Sequence, residues 1–316
     1  MKKTFTLIFC AVIALPMVFT SCHREQEDEL VEGVYNPEKK IESINTESRL
    51  LFGGYGGETY NYFQQWQWNG DLLESITYSE DGSLWRKVHF FYQDDRISSI
   101  SVIDSMLEWR SLNYYYYYEG NKLTSIKAYR GSFLVEDYNI IHEGDKIVKI
   151  LYSFVLPDTK ERNWIQHVNL TDLPVPGSHI ISKLRSKHEN KGYGYQSELD
   201  LEWNGSNINT IYVTDSDIDG IEKYFIQYTY DNKNNPLNGL CFWYGQGQGT
   251  ATGGFLSSRN NILSEKWCNS DGKVWSYENH TYTYNGEWPI SERFTEKDDE
   301  YSEVNQESFT QFVYDK

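Results

Sequence analysis

Three methionines, four cysteines and 29 basic residues are few for a chain of 316, and Leu and Ala are sparse as well. Each shortage excludes something. Leu, Ala and Met are the strong helix formers, so a helical bundle is disfavoured. The basic side chains face 46 acidic ones, a net charge of −17. Such a field repels nucleic acid and anionic lipid surfaces, which rules out those partners. After residue 22 no apolar run is long enough to cross a bilayer as a helix. Nucleophile-elbow, zincin and phosphate-loop motifs are missing too: Gly245-Gln-Gly-Gln-Gly249 is followed by no helical pattern. The seven histidines are His23, His89, His142, His167, His179, His188 and His280, and no two are two or four apart, the usual zinc-ligand spacing. An enzyme is therefore disfavoured, although a carboxylate pair for glycoside hydrolysis cannot be sought among so many acids without geometry.

What is present begins at the N-terminus. Lys2 and Lys3 precede a mostly apolar stretch, Thr4 to Phe19, of signal-peptide length. It ends in Phe19-Thr-Ser-Cys22, which resembles a bacterial lipobox with Phe where Leu is usual. Cys22 is thus expected to carry a lipid and become the mature N-terminus. Removing residues 1–21 takes away two lysines and leaves 27 basic against 46 acidic residues, a net charge of about −19. Residues 23–40 are polar and acidic and read as a flexible tether. An acidic stretch in that place resembles the surface-export signal of Bacteroidetes lipoproteins.

The rest, residues 41–316, is organised by a repeat. Trp68-Asn-Gly-Asp-Leu-Leu-Glu-Ser-Ile76 recurs from Tyr92 to Ile100, Tyr118 to Ile126, His142 to Ile150 and Trp203 to Ile211. In all five copies an aliphatic residue stands five places after the start and an Ile eight places after. Looser copies begin at Tyr230 and Tyr284, with Pro236 and Pro289 near the aliphatic slot. Apolar residues two before each start share its strand face. Gly70, Gly120, Gly144, Gly205 and Gly286, with Asp94 and Asn232, occupy the position of a tight turn with positive φ. Second turns fall at Asp81-Gly82, Gly131, Asp219-Gly220 and Asp271-Gly272. The reading is all-β: a long antiparallel meander of repeated hairpins, folded as a curling sheet, a sandwich or an open barrel. Residues 154–196 break the period and contain Pro157, Pro174 and Pro176; they read as an insertion or inter-domain crossover. Gly245 to Gly254 reads as a mobile loop.

This unit, an aromatic followed by Asn or Glu, Gly, an aliphatic and Ser-Ile, resembles the YD repeats of RHS-type proteins. Taken with Asn36-Pro-Glu-Lys-Lys-Ile41, with Tyr230-Asp-Asn-Lys-Asn-Asn-Pro236 before Ser258-Arg-Asn-Asn-Ile262, and with Tyr282-x-Tyr284-Asn-Gly-Glu-Trp-Pro289, nearly the whole folded part is similar to uncharacterised YD-repeat-like lipoproteins of Bacteroidetes. The resemblance implies a β-rich fold and surface or periplasmic residence, and no catalytic residues.

Three further sets of residues carry chemistry. Asp215, Asp217 and Asp219, before Gly220, have the alternating spacing that converges oxygens on calcium, against the plainer reading of a hairpin turn. Cys241 and Cys268 lie 27 residues apart and can form a cross-strand disulfide in an oxidising envelope. With 10 Trp and 26 Tyr, mostly needed to fill strand faces, Trp243 and Tyr244 beside the Gly-rich loop are the candidates for stacking on a sugar. The expected function is a non-catalytic, lipid-anchored binding or scaffolding protein of the outer membrane, surface-exposed or periplasmic, with carbohydrate or an envelope protein as partner. The alternative is a glycosidase-like envelope hydrolase on a β scaffold.

Overall fold

A computed structural model describes residues 32–51, 57–105, 111–154, 195–217, 220–240, 258–298 and 302–315. They form sixteen strands. The first eight are β1 (Ile41–Leu50), β2 (Thr59–Asn69), β3 (Leu72–Glu80), β4 (Ser83–Gln93), β5 (Arg96–Asp104), β6 (Leu112–Glu119), β7 (Lys122–Arg130) and β8 (Phe133–Glu143). The second eight are β9 (Lys146–Phe154), β10 (Tyr195–Asn204), β11 (Asn207–Asp217), β12 (Gly220–Asn234), β13 (Asn260–Asn269), β14 (Val274–Asn285), β15 (Trp288–Lys297) and β16 (Val304–Tyr314). Each strand pairs antiparallel with its neighbours in sequence, and β1 also pairs with β16, from Ile41↔Tyr314 to Leu50↔Gln306. The meander is therefore a closed barrel and not an open one, a sandwich or a curling sheet. Closure satisfies the two edges that any open form would leave unpaired. β9 and β10 are hydrogen-bonded neighbours, Phe154 opposite Tyr195, so the aperiodic segment leaves and returns at one hairpin.

The sequence repeat has a structural cause. Just before each starting aromatic the ladder carries a β-bulge, as between Gln67 and Trp68, Phe91 and Tyr92, Tyr117 and Tyr118, and Glu202 and Trp203. A bulge leaves backbone groups without ladder partners. The starting aromatic of the next copy supplies one: Tyr92 Oη donates to the Leu73 carbonyl at 2.8 Å, Tyr118 Oη to Ile97 at 2.7 Å, Trp203 Nε1 to Ile147 at 2.6 Å and Tyr230 Oη to Ile208 at 2.6 Å. Each acceptor is the aliphatic residue five places into the preceding copy. Trp68 and Tyr314 make the same bond to Ile41 and Pro289. A cation four places into a copy then reaches the turn glycine of the next copy: Arg96 to the Gly120 carbonyl, Lys122 to Gly144 and Lys146 to Gly205. The starting turns bear the expected positive φ at Gly70, Asp94, Gly120, Gly144, Gly205 and Gly286. The Tyr230 copy departs from the pattern. Its strand runs on through Asn232 to Asn234, because Pro236 replaces the tight hairpin with a longer connection.

Inward positions fill the barrel. The repeat isoleucines Ile76, Ile100, Ile126, Ile150 and Ile211 are 0–2 % exposed and belong to one continuous apolar cluster with Tyr114, Tyr138 and Trp267. Water in a lumen would touch these side chains at mid-height, so this interior is packed and dry there. The five-aromatic run splits by parity: Tyr114 and Tyr116 are buried inside, while Tyr115 and Tyr117 stand outside, exposed.

The end of the barrel that carries the repeat turns is crossed by residues 32–35. The Glu32 carboxylate accepts the Leu123 N–H at 2.6 Å and shares a hydrogen bond with His142 Nε2 at 2.9 Å. The Gly33 carbonyl accepts the Ile97 N–H. Tyr35 is buried, stacks on Trp68 at 5.7 Å and donates to the Pro236 carbonyl. His142, in a slot otherwise held by Tyr or Trp, serves this strap through Glu32.

Candidate functional site

The barrel wall is not uniformly apolar inside. On β3–β12 the mid-height inward residues are mainly Ile, Val, Leu and Tyr, whereas β13–β16 turn glutamates, a histidine and hydroxyls inward. Strand alternation and register bring them together. Glu265 on β13 lies opposite Glu278 on β14, and Glu278 lies opposite Glu296 on β15. Three carboxylates thus stand side by side on adjacent strands, each less than 10 % exposed. Directly opposed side chains on one face have Cβ atoms about 4.5–5.5 Å apart, and like charges there repel.

His280 follows Glu278 by two residues and shares its face. One ligand atom from each of Glu265, Glu278 and His280 lies within 4.8 Å of the other two. The imidazole is held by Glu292, whose Oε1 is 2.6 Å from Nδ1 and also accepts Tyr282 Oη at 3.1 Å. Phe294 packs on the ring at 5.2 Å and Tyr282 stacks parallel to it. Nε2 is shielded from solvent and has no hydrogen-bond partner. Among the described residues no Lys or Arg pairs with Glu265 or Glu278.

Electrostatics follow from this placement. Burial, with Glu265, Glu296 and Glu292 adding repulsion, pushes the Glu278 carboxyl well above its usual range. Burial also raises Glu265, although His280 opposes it. For His280 burial favours the neutral ring, but the Glu292 hydrogen bond and charge outweigh it and the net shift is upward. The arrangement can hold a cation or share protons among its carboxyls.

The residues singled out in the sequence fare differently. Asp215 is buried on the inward face of β11 opposite Glu222, and both of its carboxylate oxygens are enclosed without a hydrogen-bond partner. Asp217 pairs through its backbone with Gly220, and Asp219 lies outside the described residues. Cys268 is buried on β13 with Sγ 4.0 Å from the Lys266 carbonyl, while Cys241, Trp243 and Tyr244 lie outside the described residues, as do Cys22 and the Gly-rich loop. The glutamate–histidine cluster escaped the sequence reading. Its signal was Glu292, which takes the place of the repeat Ile eight residues after Tyr284, and the shared parity of Glu278, His280, Tyr282 and Tyr284.

No protein-family model matches the sequence, and none of the curated proteins does. Among solved structures, a porin-like protein from Bacteroides uniformis ATCC 8492 is similar over 90 % of this chain and 100 % of its own, with TM-score 0.50 and 10 % identity. A porin-like protein from Bacteroides vulgatus ATCC 8482 is similar over 88 % and 99 %, with TM-score 0.48 and 10 % identity. The first likeness shows a shared barrel fold. It also corrects the YD-repeat and RHS resemblance: the chain is a closed barrel whose fold is shared with a porin-like protein. The recurring motif has a local cause, the bulge, the aromatic donor and the turn, and spaces the hairpins of an up-and-down barrel.

Proposed function

We propose that the protein is a lipid-anchored binding or scaffolding module of the outer membrane that works through its outer surface and not as a pore. The packed interior carries this reading. Barrels of sixteen strands can leave an aqueous channel, but here the repeat isoleucines seal the lumen at mid-height and residues 32–35 strap one mouth. The outer wall is also of the wrong kind for lipid. A membrane-spanning barrel alternates apolar outside with polar inside. Here Lys149, Glu198 and Asp200 form an ion-paired group on the outside of β9 and β10, in the middle of the strands. Envelope residence rests on the Lys2–Cys22 segment, and the fold shared with a porin-like Bacteroides protein is in keeping with it.

For a ligand, carbohydrate fits the outside of β4–β7. Phe91, Ser99 and Tyr115 are neighbours across three strands, Tyr117 lies two residues on, and the three aromatic side chains are 43–51 % exposed. Tyr129 meets Tyr115 edge-on at 5.7 Å. Flat apolar faces with polar rims suit sugar rings. The hydrolase alternative has less support, because the clustered carboxylates lie inside the wall and not along an outer cleft.

The test is reconstitution of the lipidated chain. Palmitate labelling lost in Cys22→Ser, with no sugar-driven swelling of proteoliposomes, is the expected result, and swelling that depends on the protein would sink the reading. A glycan array probed in parallel should find one glycan class whose signal falls at least tenfold in Tyr115→Ala/Tyr117→Ala.

A further inference from the structure

We propose that Glu265, Glu278 and His280 form a binding site for one first-row divalent metal ion of the zinc class inside the barrel wall. The ligand set comes from two adjacent strands: Glu265 faces Glu278 across the β13–β14 ladder, and His280 is the next inward residue on β14. Their ligand atoms converge within 4.8 Å of one another. Two carboxylate oxygens and one imidazole nitrogen are zinc-type donors, whereas calcium and magnesium prefer all-oxygen shells.

An acidic cluster alone would not carry this. The independent observation is the state of His280. Nδ1 is engaged by Glu292 at 2.6 Å, and Nε2 is enclosed by protein with nothing to bond to. A carboxylate that holds one ring nitrogen and leaves the other as the inward donor is the usual support of a metal-ligating histidine, because it sets the tautomer and aims the lone pair. Tyr282 donates to the same Glu292 oxygen, so Glu292 is itself oriented. Glu292 is thus a positioning residue and not a ligand. The side chains of His280 and Glu292 keep 13 % and 18 % exposure, which leaves a solvent side from which an ion can enter. A bound dication would also offset the repulsion between Glu265 and Glu278, which no Lys or Arg relieves among the described residues.

The experiment loads the chelator-stripped full chain with Co²⁺ and with Zn²⁺, each alone, at pH 7.5. The expected result is one equivalent of Co²⁺ with visible d–d absorption, displaced by Zn²⁺, and a higher melting temperature with Zn²⁺ than with Ca²⁺. Glu278→Gln and His280→Gln should each weaken Zn²⁺ binding at least a hundredfold. Glu292→Gln should weaken it roughly tenfold and leave one equivalent bound, the range expected for a supporting residue. Metal-free melting of each variant checks that it is folded; should one fail to fold, the conservative Glu265→Asp, with an altered cobalt spectrum, stands in. Cobalt binding that does not saturate at one equivalent, that persists unchanged in Glu278→Gln, or that Ca²⁺ matches overturns the site and leaves proton sharing as the role of the carboxyls.

Discussion

Tyr92 shows what one hydroxyl does in this barrel. Its Oη satisfies the Leu73 carbonyl beside a bulge, and burial raises its phenol pKa, so it stays a donor at every physiological pH. Tyr92→Phe leaves that carbonyl unpaired and should destabilise the chain by about 1–2 kcal/mol in urea unfolding. Tyr115→Phe, on the exposed face, should change stability by less than about 0.5 kcal/mol. Equal effects would mean that the repeat aromatics act only as apolar filler. Arg86 and Asp104 are the second case. They form an ion pair at 3.2 Å with both side chains 1 % exposed. Asp104→Asn takes the negative charge from beside a buried guanidinium and should cost about 3–5 kcal/mol, whereas replacing both partners by apolar residues of similar volume should recover much of it. The repeat aromatics could be read from their spacing. The Arg86–Asp104 pair could not, since nothing in a single chain says which inward acid meets which inward base.

Scaled up to elements, β13–β15 are the part that departs from the repeat. On their inward row, Glu265 and Glu278, with His280 beside them, hold protons in the fold that the unfolded chain releases. A carboxyl raised on folding lends stability that is fully present below its ordinary value of 4.5 and is lost as pH rises through the folded value. The metal-free chain should therefore lose stability as pH rises above about 4.5, with the raised His280 acting in the same direction above about 6.5. Glu278→Gln should flatten the profile and raise the melting temperature at pH 7.5 by several degrees. A profile as steep as the parent's would remove Glu278 as its source. The strap is the other informative element. A Cβ on Gly33 would fall 2.0 Å from Tyr118 Oη at a backbone φ of +82°, so Gly33→Ala should loosen residues 32–35. Hydrogen exchange at the Leu123 and Ile97 amides, which the strap holds, should rise at least tenfold.

For the whole molecule the decisive contact is β1 with β16. A chain ending at Lys297 exposes the edges of β1 and β15, and such edges pair with other chains. It should elute as aggregate in size exclusion with light scattering, while the full chain with its signal segment removed stays discrete. A discrete truncated monomer would show that closure is dispensable.

The sequence by itself determined the strands, the turns and which residues share a face, because period-two burial and positive-φ turns are local properties of a few residues at a time. It did not determine that the sheet closes, since Ile41 and Tyr314 meet only through the accumulated curvature of all the strands between them. Nor did it show that Glu265, Glu278 and His280 converge. Twelve residues, a turn among them, separate Glu265 from Glu278, and only the register of β13 against β14, shifted by the bulge between Trp267 and Cys268, sets them face to face.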